Sequence, residues 1–217
     1  MQWDKIGAAA IGICMIALAP AAAQGSQRAV TVSLGHGSER SEPMMRTGSW
    51  ASQPVGHRDF CRNFPAECQA RGSLQPARLT QGLWDQLTSV NDEVNRQVQP
   101  VTDKEYYGTE EVWTLPDSYG DCEDYVLLKR KRLVDLGWST ADTLVAVVFD
   151  EVGAGHAVLV VRTDRGDFVL DNKVDAIRLW SDTGYRYVKR QDVSNPMRWV
   201  AIDDTRWQMN GPTAGIR

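Results

Sequence analysis

The hydrophobic period of the chain changes at Gly137, and that change narrows the folds open to it. Upstream, two segments repeat apolar residues at helical spacing. Residues 80–98 carry Leu83, Leu87, Val90, Val94 and Val98 at steps of three and four, behind Thr80 as a cap and ahead of Pro100 as a stop. In the segment that ends at Gly137, Cys122, Tyr125, Val126, Leu133 and Leu136 fall within one arc of about 100°, the width of a buried stripe. Lys129 interrupts the stripe; its stem is expected along the core, with its ammonium in solvent. Downstream the helical period is lost. Residues 144–149 and 156–162 are apolar runs with β-branched enrichment, residues 167–171 return from the turn Thr163-Asp164-Arg165-Gly166, and residues 185–190 and 199–202 are also strand-like. Helices followed by an antiparallel meander imply a single α+β domain.

The second helix opens on Gly120-Asp121-Cys122-Glu123-Asp124-Tyr125. With Asp121 as N-cap, Cys122 occupies the first turn, where backbone N–H groups and the macrodipole favour a thiolate. Taken alone, an inert cysteine in an amphipathic helix accounts for it equally well. A nucleophilic cysteine needs a base, and the candidates are His36, His57 and His156. His156 begins a core strand behind Gly153-Ala154-Gly155 and is the base by elimination. If Arg162 pairs with Asp167 across the turn, Asp171 falls opposite Val158, on the face of His156 and one diagonal step away, able to orient the imidazole. Asn172 is the alternative orienter. Individually, His156 also reads as a satisfied strand histidine and Asp171 as a strand-end cap.

Residues 1–23 read as an export signal: Lys5, an apolar run over residues 6–18, and Ala21-Ala22-Ala23 as the cleavage site. The run is too short to span a bilayer, so no membrane span is expected after cleavage, and Cys14 leaves with the signal. Residues 24–53 are Gly- and Ser-rich with little periodicity and read as a flexible arm; residues 54–207 form the domain and residues 208–217 a tail. Of the remaining cysteines, Cys61 and Cys68 flank Asn63-Phe64-Pro65 and can close a disulfide, the alternative being two reduced, buried thiols. Cys122 is the odd one out. The expected location is periplasmic or secreted. Lys and Arg total 24 against 28 Asp and Glu, which indicates no basic surface, and nucleic acid is not an expected partner.

The acids around Cys122 create a difficulty. One uncompensated carboxylate about 6 Å from a thiolate costs about 3 kcal/mol at an effective dielectric of 20, about two pKa units against ionisation. Either Asp121, Glu123 and Asp124 hold a hard cation, Ca²⁺ above all, or they cap the helix, face water and pair with bases.

Three motifs in order, Gly120-Asp121-Cys122-Glu123-Asp124-Tyr125, Gly155-His156-Ala157-Val158-Leu159 and Val169-Leu170-Asp171-Asn172, resemble those of the bacterial transglutaminase-like cysteine peptidases. The likeness runs roughly from residue 44 to 207, through Ser52-Gln53-Pro54-Val55-Gly56-His57 and Phe60-Cys61 to Asn195-Pro196 and Trp199. It implies a papain/transglutaminase-like core with the nucleophile helix packed on an antiparallel sheet. It also implies Cys122 as nucleophile, His156 as base, Asp171 as orienter, and calcium beside the nucleophile at acids matching Asp121 and Glu123. Some members of that family clip adhesins from the cell surface. The Ser/Gly-rich arm and the Cys61/Cys68 pair depart from those members, so the expected substrate is a protein or peptide of the cell envelope, without further identity. Two other activities are open: acyl transfer to an amine, and protein binding without catalysis. For the oxyanion, the backbone N–H of Cys122 is a generic donor, with Trp113 or Asn91 as candidates to line the cleft.

Overall fold

The structure, a computed structural model, describes residues 43–206. The signal at 1–23, the arm as far as residue 42, including His36, and the tail at 208–217 lie outside the described residues. In chain order the elements are β1 (Thr47–Ala51), α1 (Val55–Asn63), α2 (Gln81–Gln97), β2 (Gln99–Pro100), α3 (Asp103–Tyr107), β3 (Tyr119–Gly120) and α4 (Cys122–Asp135). There follow β4 (Thr143–Phe149), β5 (Gly155–Thr163), β6 (Gly166–Leu170), β7 (Arg178–Leu179), β8 (Arg186–Asp192) and β9 (Asn195–Ile202). The class is α+β, as expected, with a papain/transglutaminase-like plan: the cysteine begins the helix that packs on the sheet.

Seven strands form one sheet in the order β1-β9-β8-β4-β5-β6-β7, and every neighbouring pair is antiparallel. The meander holds only for β4 to β7. From there β8 returns to the free side of β4, and β9 and β1 extend the sheet in that direction. The expectation of a flexible arm over residues 24–53 does not hold for its last part. Residues 47–51 pair with β9 as an edge strand, and Met45 is buried. Four of the five β1 residues are exposed, so the strand carries no hydrophobic alternation and is held by its backbone ladder.

Leu144, Val145, Ala146 and Val148 of β4 are wholly inaccessible, because both faces of the sheet are covered. One face packs Val145, Ala157, Leu159 and Val161 against Tyr125, Val126 and Leu133 of α4 and Leu87, Val90 and Val94 of α2. The other packs Ala146, Val148, Val158 and Val160 against Trp180, Tyr185 and Tyr187. Burial on both faces is why the β4 sequence reads as a continuous run rather than an alternation.

Two features of α4 differ from the sequence reading. Leu136 is 52% exposed, because the helix stops at Asp135 and Leu136 is its C-cap. Lys129 is 0% exposed: α2 and the sheet together enclose its face of the helix and leave the ammonium no route to solvent. Cys61 of α1 is joined to Cys68, at the end of a 3-10 turn over Pro65–Cys68, by a disulfide with a Cα–Cα distance of 5.6 Å. Within the 101–119 loop, α3 is nucleated by a capping box in which Thr102 and Glu105 satisfy one another's backbone.

Candidate active site

Gly120 leads into α4 because nothing larger fits: a Cβ there would lie 2.7 Å from Asp124 Oδ2 and 2.8 Å from Asp124 Cβ. Asp121 takes the N-cap position in extended backbone, but its side chain makes no capping hydrogen bond. The Cys122 thiol, half-buried at the first turn, donates to Glu123 Oε2 at 3.0 Å. Burial, then the charge and hydrogen bond of Glu123, push the thiol well above the ordinary cysteine range. The Ala157 amide, in the residue after His156, lies against the sulfur and pulls the other way. Cys122 thus meets β5 at its first residues.

The hairpin that brings His156 and Asp171 together keeps the expected register through a tighter turn. Thr163 pairs with Gly166 around Asp164-Arg165, Arg162 faces Asp167, and Leu159 faces Leu170, so Asp171 follows beside Val158. His156 Nε2 and Asp171 Oδ1 are 2.8 Å apart and both residues are buried. Tyr185 donates its hydroxyl to Asp171 Oδ2 at 2.5 Å, and the Lys173 amide donates to Oδ1 at 3.0 Å. Burial would raise the Asp171 pKa, but His156, Tyr185 and the Lys173 amide outweigh it and hold the carboxyl below its ordinary range. With Nε2 engaged, Nδ1 is the ring nitrogen left for exchange with a thiol. His156 and Asp171 are in direct contact, whereas the Cys122 thiol is turned to Glu123.

The acids form two overlapping groups. Carboxylate oxygens of Asp103, Asp121 and Asp124 lie within 4.8 Å of one another, and the ligand atoms of Asp121, Cys122 and Glu123 do likewise. Asp103 is a member the sequence reading missed; it looks like an ordinary first-turn acid of α3, and only the fold carries it to α4. Val112 N–H donates to Asp103 Oδ2 at 2.5 Å and Thr114 N–H to Asp124 Oδ1 at 2.8 Å. Asp121 Oδ1 and Asp124 Oδ2 are buried without a hydrogen-bond partner. Burial and the charge of Asp121 push Glu123 up to about 8, and burial with the charges of Asp121 and Asp103 does the same to Asp124. Among the described residues no base pairs with Asp121, Glu123 or Asp124. The cap-and-ion-pair account of these acids therefore does not hold. Buried acids with raised pKa values and two orphaned oxygens have the chemistry that a hard cation takes, and Asp103 lies beside Asp121 and Asp124.

His57 is framework. Its ring packs edge-on against Trp113 and Trp199, and Gln191 faces its Nε2 at 3.0 Å. Gln191 Oε1 accepts from Val145 N–H, so its Nε2 is the donor and His57 Nε2 accepts. Burial, then the charge of Arg130, lowers the His57 pKa to about 3, so it stays neutral. Neither residue considered for the cleft lines one: Asn91 is fully buried and donates to Asp175 O, while Trp113 is buried with its indole N–H on Glu111.

Three solved structures of Legionella pneumophila LapG are similar to the chain. The calcium-bound form shares 20% identity over 69% of this chain and 82% of LapG, with a TM-score of 0.48. The EGTA-treated form shares 18% over 71% and 81%, with a TM-score of 0.47, and a third shares 19% over 72% and 86%, also with a TM-score of 0.47. No curated protein matches. Residues 47–207, most of the chain and all of the site, match the model of the bacterial transglutaminase-like cysteine proteinases (BTLCP), and the chain belongs to that family of cysteine peptidases.

Proposed function

We propose that the chain is an exported cysteine peptidase that cleaves a protein of the cell envelope through Cys122, His156 and Asp171. The observation that carries this reading is the buried 2.8 Å contact between His156 and Asp171 at the end of β5 against which Cys122 sits. In acylation the Cys122 thiol passes its proton to His156 Nδ1, its sulfur bonds to the scissile carbonyl carbon and the C=O electron pair moves to oxygen. As the pair returns, the C–N bond breaks and the amine leaves with the proton held on His156 Nδ1. In deacylation His156 takes a proton from water, whose oxygen attacks the thioester, and Cys122 leaves as thiolate. Asp171 holds the tautomer and stabilises the imidazolium.

A divalent cation, for which Ca²⁺ has the matching preference for carboxylate oxygen, would be held by Asp103, Asp121, Glu123 and Asp124 and would supply the positive charge those acids lack. Glu123 is the residue that links the two sites: while it accepts from Cys122, the thiol proton is retained, and a Glu123 drawn away frees the thiol to turn to His156.

Export is supported by the signal-like residues 1–23 and by the Cys61–Cys68 disulfide. Among the described residues no helix is long and apolar enough to cross a membrane. The test compares the termini of cell-envelope proteins between wild type and Cys122→Ala. New termini present only in wild type support hydrolysis, a labelled amine incorporated at glutamine points to acyl transfer, and identical profiles overturn both.

A further inference from the structure

The backbone ladder between β5 and β6 ends before it reaches the two residues it brings together. Its pairs run from Thr163 with Gly166 to Leu159 with Leu170, so it stops short of His156, and Asp171 already lies beyond β6. On its other side His156 pairs with Val148 of β4, directly after the turn at residues 150–154. The contact between His156 and Asp171 is thus made beyond the last pair of that ladder, where side chains have to hold the two segments in place.

Lys173 does so from both of its ends. Its amide donates to Asp171 Oδ1 at 3.0 Å, and its Nζ donates to Asp150 Oδ2 at 2.8 Å. Asp150 in turn shapes the connection from β4 to β5. Its Oδ1 accepts from Val152 N–H at 3.1 Å and from Ala154 N–H at 2.8 Å, while its own N–H donates to Ala154 O at 2.9 Å and its C=O accepts from Gly153 N–H at 3.0 Å. One carboxylate oxygen organises the turn that leads into His156, and the other meets the ammonium. The turn after Asp171 is also held by α2: Asn95 Nδ2 donates to Asp171 O at 2.9 Å and to Asp175 Oδ1 at 2.8 Å, and Asn91 Nδ2 donates to Asp175 O at 2.9 Å. Among the described residues, Lys173–Asp150 is the ion pair that joins the 171–175 turn to the 150–154 turn. The Asp150 side chain is 8% exposed and that of Lys173 44%. A pair so open to water contributes little to the stability of the whole fold, which leaves local alignment as its effect.

We propose that Lys173 is a positioning residue: its pair with Asp150 ties the turn that follows Asp171 to the turn that leads into His156 and keeps the two aligned for proton transfer with Cys122. The inference rests on the reading of His156 and Asp171 as base and orienter.

Lys173→Met removes the ammonium and leaves the amide on Asp171 in place. The melting temperature should stay within about 3 °C of wild type, while acylation of Cys122 by a peptide-based thiol probe, with Ca²⁺ present, slows about tenfold. The proton between His156 Nε2 and Asp171, followed by NMR as a downfield resonance, should weaken as its exchange with water quickens. Lys173→Arg, which keeps the charge, should recover both. Asp150→Asn, which keeps an oxygen for the Val152 and Ala154 amides but loses the charge, should repeat the defect, and the double variant with Lys173→Met should be no slower than the slower single variant. Wild-type acylation and an unchanged resonance in Lys173→Met overturn the proposal. So does a melting temperature that falls in step with acylation while the resonance is intact, and so does a double variant slowed by the product of the two single effects. If Asp150→Asn does not fold, the comparison of Lys173→Met with Lys173→Arg decides alone. If the wild-type protein is not acylated while the resonance responds as described, the tether stands and it is the peptidase reading that fails.

Discussion

Asp171 has both carboxylate oxygens engaged inside the core, one with His156 and the Lys173 amide and the other with Tyr185. Since its folded pKa lies below the ordinary value, the stability it contributes is complete above the carboxylate range and is lost as pH falls through the folded value. Tyr185 holds this pair from one side, its ring 5.5 Å edge-on from His156 and its hydroxyl on Oδ2. Tyr185→Phe removes a donor to a buried charge, a loss of about 1.5–3 kcal/mol. The Asp171 pKa should rise, so the acid limb of Cys122 acylation should move to higher pH while the rate at neutral pH changes little. A lower melting temperature with an unmoved pH profile would show that Tyr185 only packs. Nothing in the sequence marks this residue, which sits one position before β8 with no motif around it.

At the scale of elements, the first turn of α4 does two jobs that conflict. Its amides and dipole favour a thiolate, while its carboxylates oppose one. Gly120 makes the packing of those carboxylates possible. In Gly120→Ala the new Cβ meets Asp124 Cβ and Oδ2, and because Asp124 is fixed by α4 the overlap is not relieved by a side-chain rotation alone. The expected cost is about 1–3 kcal/mol, with weaker Ca²⁺ binding by calorimetry; wild-type affinity would show that Asp124 is not a ligand. The glycine and its neighbours were legible as a motif, and the β5–β6 register was legible from the pairing of Arg162 with Asp167, because both are local. What was not legible depends on distant partners. Asp103 reaches the cluster only because α3 docks on α4. Lys129 was read as reaching solvent because one helix face cannot reveal that α2 covers it. β1 was read as arm because an edge strand held by backbone bonds leaves no side-chain pattern.

For the whole molecule, the acid cluster predicts how stability depends on pH and on cation. Glu123 and Asp124 are pushed up to about 8 in the folded state, chiefly by burial, and the Asp103 carboxyl is also raised. Acids with raised folded pKa values bind more protons folded than unfolded between the ordinary carboxylate range and about pH 8. Unfolding therefore releases protons there, and the cation-free protein should lose stability as pH rises from about 5 to 8. A bound divalent cation reverses that sign, since it competes with those protons and is held most tightly when they have left. Calcium at about a hundred times its Kd adds about 2.7 kcal/mol, or about 5–10 °C for a domain of this size. The increment should be largest at pH 8 and small at pH 5, where the acids keep their protons. Thermal melts at pH 5, 6, 7 and 8, each in EGTA and in excess Ca²⁺, measure it directly. An increment independent of pH would place calcium away from these carboxylates, and no increment at any pH would leave Asp103, Asp121, Glu123 and Asp124 as a proton-sharing cluster that holds Cys122 in its thiol form.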